Sequence, residues 1–191
     1  MTSAAEQTLQ RLYAADAEQR AANLPPSQRT RNVDRDTGHF LRLLATSIGA
    51  QRVLEIGSSN GVSTIWLALA VEQARGEMIG TEILPARAAE ANVNLTNAGL
   101  NHVARVEAGD ARSIVARLQG PFDLVFIDAE KDDYITHFAA VIDLVGPRGL
   151  VLADNVLSHD LSAYQEVLRQ RVDVETVTVP IGRGLEYTLK R

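Results

Sequence analysis

The sequence contains no cysteine among its 191 residues, so it can form no disulfide, thiolate metal site or thiol nucleophile. No apolar run approaches the roughly 20 residues that span a bilayer. Residues 1–6 show no basic segment leading into an apolar core, which an export signal would require. We therefore expect a cytoplasmic protein with neither an export signal nor a membrane anchor.

Positive charge is in the minority, since 19 Lys and Arg residues face 24 Asp and Glu residues and the formal net charge is -5. That balance creates no long-range attraction for a polyanion, so nucleic acid is a disfavoured partner, although a local basic patch would still permit it. Hydrophobic residues make up 46% and charged residues 23% of the chain, as in ordinary globular proteins. One hydrophobic core is expected at this length.

Hydrophobic periodicity predicts two helices before the first strand. The first should end at Pro25-Pro26, and the second should begin behind Asp36-Thr37 and stop at Gly49. Their apolar positions are Leu9, Leu12 and Tyr13, then Phe40, Leu41, Leu44 and Ile48. We expect residues 1–50 to be N-terminal helices packed on a core of residues 51–191, within a single domain.

From Arg52 onward, short apolar runs alternate with helical segments, a pattern typical of a parallel sheet with helices on both faces. The five predicted strands here are Val53–Ile56, Met78–Glu82, Val103–Glu107, Leu124–Asp128 and Leu150–Asp154. The helices between them include Pro85–Asn97 and Tyr134–Val145, the second closing at Gly146-Pro147.

The final two apolar runs, Glu175–Val179 and Leu185–Lys190, are separated only by Pro180, Ile181, Gly182, Arg183 and Gly184. So short a connection cannot hold a crossover helix, which predicts an antiparallel pair. The α/β chain should therefore form a mostly parallel seven-stranded sheet with an antiparallel last strand. This arrangement resembles the Rossmann-like class I methyltransferases.

A glycine-punctuated turn follows the first strand. Gly57 and Gly61 allow a ligand close to the backbone, and the helix that starts next offers free N–H groups to a carboxylate. The methionine carboxylate of S-adenosylmethionine would suit that position, with Ser63 as an added donor. The G-x-x-x-G spacing differs from the G-x-G-x-x-G of dinucleotide sites, which disfavours an NAD enzyme. A tight strand-helix turn without a ligand is the alternative.

The next two strand ends supply what an adenosyl group needs. Glu82 can accept both hydroxyl protons of a ribose, and Ile83 would form an apolar wall for adenine. Gly109-Asp110-Ala111 follows the third strand. Taken singly, Glu82 could be a solvated edge charge and Asp110 a helix cap.

Oxygen-bearing side chains end two further strands. Asp128 follows one apolar run, and Asp154 and Asn155 follow another. The carboxyl ends of such strands meet at the edge where open α/β sheets bind ligands. An all-oxygen set suits magnesium, manganese or calcium better than zinc. The alternative is that Asp154-Asn155 is a turn and Asp128 a helix cap.

Lys131 stands three residues after Asp128, within reach of the same cleft if a helix begins there. A nearby cation would disfavour its charged form, as a general base requires. A solvated surface lysine is the alternative. The four histidines, His39, His102, His137 and His159, show no metal or triad spacing, and only His159 is expected near the cleft. Trp66 is expected in the core.

These motifs resemble the cation-dependent O-methyltransferases, which include caffeoyl-CoA O-methyltransferase, catechol O-methyltransferase and bacterial relatives. The matching runs are Val53 to Gly57, Gly109 to Ala111, Phe122 to Lys131 and Gly149 to Asn155. The resemblance implies a homodimer, a metal site of Asp128, Asp154 and Asn155, and Lys131 as base. The implied S-adenosyl-L-methionine contacts are Glu55, Gly57, Ser63, Glu82 and Asp110, with Val33 through its backbone; Ser58, Ile83, Ala111 and Asp128 complete the predicted set.

Two positions depart from the family pattern. Val62 stands where relatives often carry an aromatic residue, and Glu130 replaces the tryptophan that catechol O-methyltransferase stacks on adenine. We expect a divalent-metal-dependent O-methyltransferase, with Mg²⁺ first and Mn²⁺ or Ca²⁺ next, acting on a hydroxylated, catechol-like small molecule. The alternatives are a tRNA hydroxyuridine O-methyltransferase, a metal-independent methyltransferase and a non-catalytic S-adenosylmethionine-binding protein.

Overall fold

A computed structural model of the chain describes residues 3–25 and 28–191. Its seven helices are α1 (Ala4–Ala21), α2 (Arg35–Ser47), α3 (Val62–Gln73), α4 (Pro85–Asn97), α5 (Ala111–Val115), α6 (Tyr134–Val141) and α7 (Ser162–Arg169) in that described part. The strands are β1 (Arg52–Ile56), β2 (Glu77–Glu82), β3 (Ala104–Ala108), β4 (Phe122–Ile127), β5 (Val145–Ala153), β6 (Val174–Val179) and β7 (Leu185–Lys190). No helix of these residues has both the length and the apolar character needed to cross a membrane.

The strands form one sheet in the order β3-β2-β1-β4-β5-β7-β6. Strands β1 to β5 pair in parallel, whereas β7 runs antiparallel to both β5 and β6. The predicted mostly parallel sheet with an antiparallel last strand is confirmed. Strand order reverses between β1 and β4, so a crevice opens beyond their carboxyl ends, where open α/β sheets bind ligands.

Two hydrophobic clusters cover the two faces of the sheet. One contains Leu9 of α1, Leu41 of α2 and Ile65 of α3, and the other contains Phe138 of α6 and Tyr164 of α7. All five side chains are buried. Helices α1 and α2 thus share a core with α3, the helix that follows the glycine turn. This packing holds residues 29–34, which precede α2, beside the crevice. A division of the chain at residue 50 stays a prediction.

Three helix boundaries differ from those expected. Helix α1 ends at Ala21, before Pro25, and Pro26 lies outside the described residues. The N-cap of α2 is Asp34, not Asp36-Thr37, because the Asp34 side chain accepts a hydrogen bond from the Thr37 backbone N–H.

The third difference concerns the end of α6, where the predicted helix over Tyr134–Val145 was too long. The α-helix stops at Val141 and one 3₁₀ turn follows before β5 begins at Val145. Gly146-Pro147 therefore lies inside a strand. A register shift between Phe122 and Leu124 of β4 lets this segment leave the ladder locally, so the missing N–H of Pro147 is tolerated.

Candidate functional site

A cavity of about 670 Å³ opens at the carboxyl ends of β1, β2, β4 and β5. Ten of the predicted site residues line it: Val33, Gly57, Glu82, Ile83, Asp110, Ala111, Asp128, Lys131, Asp154 and Asn155. The fold therefore gathers these positions from six separate parts of the chain. Glu55, Ser58 and Ser63 are not among the lining residues.

The candidate metal ligands lie side by side because β4 and β5 are paired in parallel. Asn155 donates from Nδ2 to Asp128 Oδ1 at 2.9 Å, and its backbone N–H donates to Asp154 Oδ1 at 2.7 Å. The backbone of Asn155 is left-handed, with a φ of 70°, a conformation that asparagine tolerates better than most residues. The left-handed turn after β5 therefore directs the Asn155 side-chain amide toward Asp128 at the end of β4.

Asp154 is buried beside a second carboxylate. Burial, and after it the charge of Asp128, raises the pKa of Asp154 to about 7, against the lowering effect of the Asn155 backbone N–H. Such a pair binds a proton or a cation because either one relieves the repulsion between the two charges.

The chemistry of this donor set fits a hard divalent ion. Two carboxylates and one amide supply only oxygen ligands. Within residues 3–25 and 28–191, no group of three or more His, Cys, Asp or Glu side chains is placed to hold a metal. The Asn155 amide oxygen would therefore have to serve as the third protein ligand, which requires its amide to turn relative to Asp128.

Lys131 is fixed against this carboxylate pair. Its Nζ donates to Asp128 Oδ1 at 3.0 Å, to the Ala129 carbonyl at 2.9 Å and to the Tyr134 hydroxyl at 2.8 Å. Tyr134 donates in turn to the Asp154 carbonyl at 3.1 Å. In the sequence, Tyr134 was identifiable only as the first residue of a helix and had no predicted role in the site. Its burial, which raises its pKa, keeps it a neutral hydroxyl that orients the lysine.

The opposite end of the cavity presents Glu82 and two exposed apolar side chains. Glu82 accepts from the backbone N–H groups of Ser59 and Leu84, at 2.8 Å and 2.9 Å. Ile83 and Leu84 are 62% and 56% exposed, which is unusual for large apolar residues beside a cavity. A carboxylate held next to an apolar wall suits a ribose joined to a flat base.

Glu55 lies beneath the glycine turn. Its carboxylate is fully buried; Oε2 accepts from the Ser58 hydroxyl at 2.6 Å and from Thr64, and Oε1 has no hydrogen-bond partner among the described residues. Burial raises the pKa of Glu55. The structure thus gives Glu55 and Ser58 a supporting role under the turn, and direct contact of Glu55, Ser58 and Ser63 with a cofactor stays a prediction.

Gly57 approaches the end of β4 so closely that a side chain has no room. A Cβ atom at this position would lie 2.3 Å from the Asp128 carbonyl oxygen, and the φ of Gly57 is 92°. Glycine is therefore required, both for the conformation and for the contact. The glycine turn, which Glu55 supports from below, therefore packs directly against Asp128, the first of the two candidate metal-binding carboxylates.

The segment before α2 crosses the mouth of the cavity. The Ser59 hydroxyl donates to the Thr30 carbonyl at 2.8 Å, and the Arg31 guanidinium pairs with Glu130 at 2.7 Å. Val33, predicted to contact the cofactor through its backbone, is buried in this segment and lines the cavity. Glu130, which departs from the family pattern, thus holds the segment from the opposite rim.

Several lining residues were not singled out from the sequence. Besides His159, which was expected near the cleft, the cavity is lined by Arg29, Asn32, His137 and Arg183. His137 is not an ordinary core histidine: it borders the cavity, its Nδ1 has no hydrogen-bond partner among the described residues, and burial lowers its pKa. The only sequence feature that pointed to His137 was its position three residues after Tyr134, the first residue of α6. Trp66 is buried in the core, as expected.

Comparison with known proteins agrees with this geometry. Residues 3–190 match the family model described as O-methyltransferase. The chain is 41% identical over 147 residues to a catechol O-methyltransferase of Mycobacterium tuberculosis, covering 76% of this chain and 64% of that protein. It is 39% identical over 130 residues to a catechol O-methyltransferase of Niastella koreensis, covering 66% and 58%. The chain thus spans about three fifths of these relatives' lengths.

Among solved structures, the fold is similar to that of the O-methyltransferase TomG from Streptomyces achromogenes, which was determined in complex with SAM. The TM-score is 0.80 and the sequence identity 30%, over 94% of this chain and 88% of that one.

Proposed function

Because this chain belongs to the O-methyltransferase family, we propose that it transfers the methyl group of S-adenosylmethionine to a hydroxyl oxygen with the help of a divalent cation. The observation that carries the proposal is the convergence of Asp128, Asp154 and Asn155 in the cavity that also contains Glu82. The family resemblance supplied the same assignment from the sequence. A homodimer, which the resemblance also implies, is part of the proposal.

S-adenosylmethionine would lie between the glycine turn and the apolar wall. Glu82 is oriented by two backbone N–H groups and would accept from the ribose hydroxyls. Ile83 and Leu84 would cover one side of the adenine. The binding of SAM by TomG supports this placement, since the two chains share the fold.

The acceptor hydroxyl would lie between the carboxylate pair and Lys131. A hard cation held by Asp128, Asp154 and Asn155 would act as a Lewis acid toward the acceptor oxygen, with Mg²⁺ as the first choice. Lys131 Nζ, 3.0 Å from Asp128 Oδ1, would serve as the base that accepts the hydroxyl proton. The oxygen then attacks the methyl carbon, the C–S bond breaks, and S-adenosylhomocysteine leaves with the electron pair.

A catechol-like acceptor fits this site best. Two vicinal hydroxyls would both bind the cation held by Asp128, Asp154 and Asn155, which would limit the motion of the reacting oxygen before methyl transfer. The two relatives named catechol O-methyltransferase support the choice.

Transfer of a labelled methyl group tests the proposal. Catechols, flavonoids and undermodified tRNA would be compared with Mg²⁺ and with EDTA, and cofactor binding measured by calorimetry. We expect turnover of a catechol that requires the metal. Turnover that is indifferent to EDTA would identify a metal-independent enzyme, turnover of tRNA alone would identify an RNA methyltransferase, and binding without any turnover would identify a non-catalytic S-adenosylmethionine-binding protein.

A further inference from the structure

A side pocket of about 260 Å³ adjoins the main cavity, between α1, residues 32–35 and the turn that joins β6 to β7. Five residues line both spaces: Arg20, Asn32, Val33, Asp34 and Arg183. The proposed reaction uses none of the side chains in this pocket.

The arginines around the two spaces differ in whether the protein neutralises them. Three form ion pairs: Arg20 with Asp16 at 2.7 Å, Arg31 with Glu130 at 2.7 Å and Arg87 with Glu90 at 2.8 Å. Arg183, like Arg29 on the main cavity, forms no ion pair or side-chain hydrogen bond with any residue in the described ranges, and Arg35 in the side pocket lies over the Tyr13 ring. A cation left unpaired beside a cavity is available to an anionic ligand.

Asn32 is the second unpaired group, and it is almost completely buried. Its side chain is 7% exposed, and neither Oδ1 nor Nδ2 has a hydrogen-bond partner in the part of the chain described. Buried amides are nearly always hydrogen-bonded, so a fully unpaired one that lines a cavity is free to bind a water or a polar group of a ligand. Asn32 and Arg183 line the same two spaces.

Arg183 lies on the acceptor side of the cleft. The Leu157 backbone N–H donates to the Arg183 carbonyl at 2.9 Å, and the Val156 N–H donates to the Gly184 carbonyl at 3.1 Å. The turn is therefore attached to the residues that directly follow Asn155. The positive charge of Arg183 also reaches Asp154, where it opposes the effect of burial on that carboxylate.

We propose that the methyl acceptor is a hydroxylated aromatic carboxylic acid, whose carboxylate binds Arg183 and Asn32 in the side pocket while its hydroxyls face Asp128 and Asp154. This inference rests on the proposed function. A guanidinium binds a carboxylate through two parallel N–H donors, and the Asn32 amide adds a third.

The charge around the side pocket favours a carboxylate over a phosphate. Asp16 and Asp34 also line it, so a dianionic group would meet two like charges. Asp16 is neutralised by Arg20, and Asp34 caps α2 through the Thr37 N–H. Three arginines, Arg20, Arg35 and Arg183, and two aspartates line the pocket, so its net charge of +1 is neutralised by one carboxylate and exceeded by a dianion.

The test compares 3,4-dihydroxybenzoate with its neutral amide, 3,4-dihydroxybenzamide, in the presence of Mg²⁺. The ratio of their kcat/KM values reports the carboxylate contact alone, because effects on folding or on the methyl donor cancel. We expect the acid to be preferred by about 10- to 100-fold, the range for a hydrogen bond to a charged group. In Arg183→Gln the ratio should fall by most of that factor, and Arg183→Lys should retain part of it.

Arg169→Gln is the matched control, because Arg169 is exposed on α7 and lines neither space. This control should keep the wild-type ratio. Charge reversal gives a second readout: Arg183→Glu should prefer 3,4-dihydroxybenzylamine, a cation, to 3,4-dihydroxybenzoate. Equal kcat/KM for acid and amide in the wild-type protein, or an unchanged ratio in Arg183→Gln, would overturn the inference while the proposed function stands.

Calorimetry separates this inference from failure of the proposed function. The acid and the amide would be titrated into the protein with S-adenosylhomocysteine and Mg²⁺ present. Tighter binding of the acid that is lost in Arg183→Gln would support the carboxylate site even if no methyl transfer occurs. Equal binding of the two compounds would contradict it.

Discussion

The two ends of the cleft are stabilised in different ways. At the cofactor end, Glu82 and Glu55 accept hydrogen bonds from the backbone or from hydroxyls of the glycine turn. At the acceptor end, Asp154 is held against another carboxylate, and the Arg183 guanidinium has no ion pair or hydrogen bond within the described chain. The unpaired Asn32 amide lies in the segment that crosses the cavity mouth between the two ends. The cofactor end is therefore held mainly by hydrogen bonds within the protein, with Glu55 Oε1 unpaired among the described residues, whereas the acceptor end presents an unpaired guanidinium and a carboxylate pair to the cavity.

The largest expected effect comes from a substitution that removes a ligand at the acceptor end alone. Asp154→Ala should reduce methyl transfer by ~1,000-fold or more, because a hard cation would lose one of two carboxylate ligands. Cofactor affinity should change by less than about threefold, since Asp154 lies at the other end of the cavity from Glu82. Kinetics and calorimetry measure the two quantities. Asp160→Ala, which removes an exposed carboxylate nearby, is the control, and full activity of Asp154→Ala in EDTA would remove the metal from the mechanism.

The second prediction concerns the cofactor end, where a substitution removes the carboxylate beneath the glycine turn. Glu55→Ala should lower the free energy of unfolding by about 2–4 kcal/mol, because it leaves a void and strips buried hydroxyls of their acceptor. It should also weaken cofactor binding about tenfold or more, since the glycine turn loses its support. Chemical denaturation and calorimetry check these values.

Glu55→Gln is the informative companion to that variant. It keeps the volume and one acceptor oxygen, and it removes a charge that burial already disfavours. Its effects should be less than half as large. Unchanged cofactor affinity in Glu55→Ala would show that the turn does not depend on this carboxylate.

The third prediction uses pH to sharpen the comparison. Because the pKa of Asp154 is raised to about 7 from 3.8, the folded protein holds a proton there that the unfolded chain releases. The stability contributed by this proton is present below about pH 4 and is lost as pH rises through 7. Mg²⁺ must displace the same proton, so its affinity should rise by about tenfold per pH unit below 7 and level off above it.

Thermal unfolding at pH 6, 7 and 8, with and without Mg²⁺, measures this linkage. The increase in Tm that Mg²⁺ produces should be larger at pH 8 than at pH 6 in the wild-type protein. In Asp154→Asn that difference should disappear. An equal increase at all three pH values would contradict this linkage, because it would mean that Mg²⁺ displaces no proton from Asp154 between pH 6 and 8.

The same contrast explains what sequence reasoning found. Asp128 and Asp154 come directly after apolar strands, and the carboxyl ends of parallel strands meet at one edge, so their proximity follows from strand order alone. Glu82 was found in the same way. These positions are fixed by the backbone, and the structure brings all three to the cavity.

The positions that the sequence left open or did not reveal depend on side-chain direction or on tertiary packing. Strand β1 is buried along almost its entire length, so no alternation of polar and apolar residues reveals which face Glu55 takes. Asn32 and Arg183 come from irregular segments far apart in the sequence. Only the packing of α1 and of the β6–β7 turn brings them together, and no local pattern encodes that packing.

The smallest expected effect concerns the Arg31–Glu130 pair, which joins the two rims of the cleft. Its side chains are 55% and 70% exposed, so solvent screens the attraction. Glu130→Gln should change the free energy of unfolding by less than about 1 kcal/mol, and cofactor affinity by less than about threefold, with the difference vanishing at high salt. Glu175→Gln, which removes another exposed and loosely paired carboxylate, is the control. A loss of affinity of tenfold or more would make this pair, and not the buried groups beneath the turn, the element that retains the cofactor.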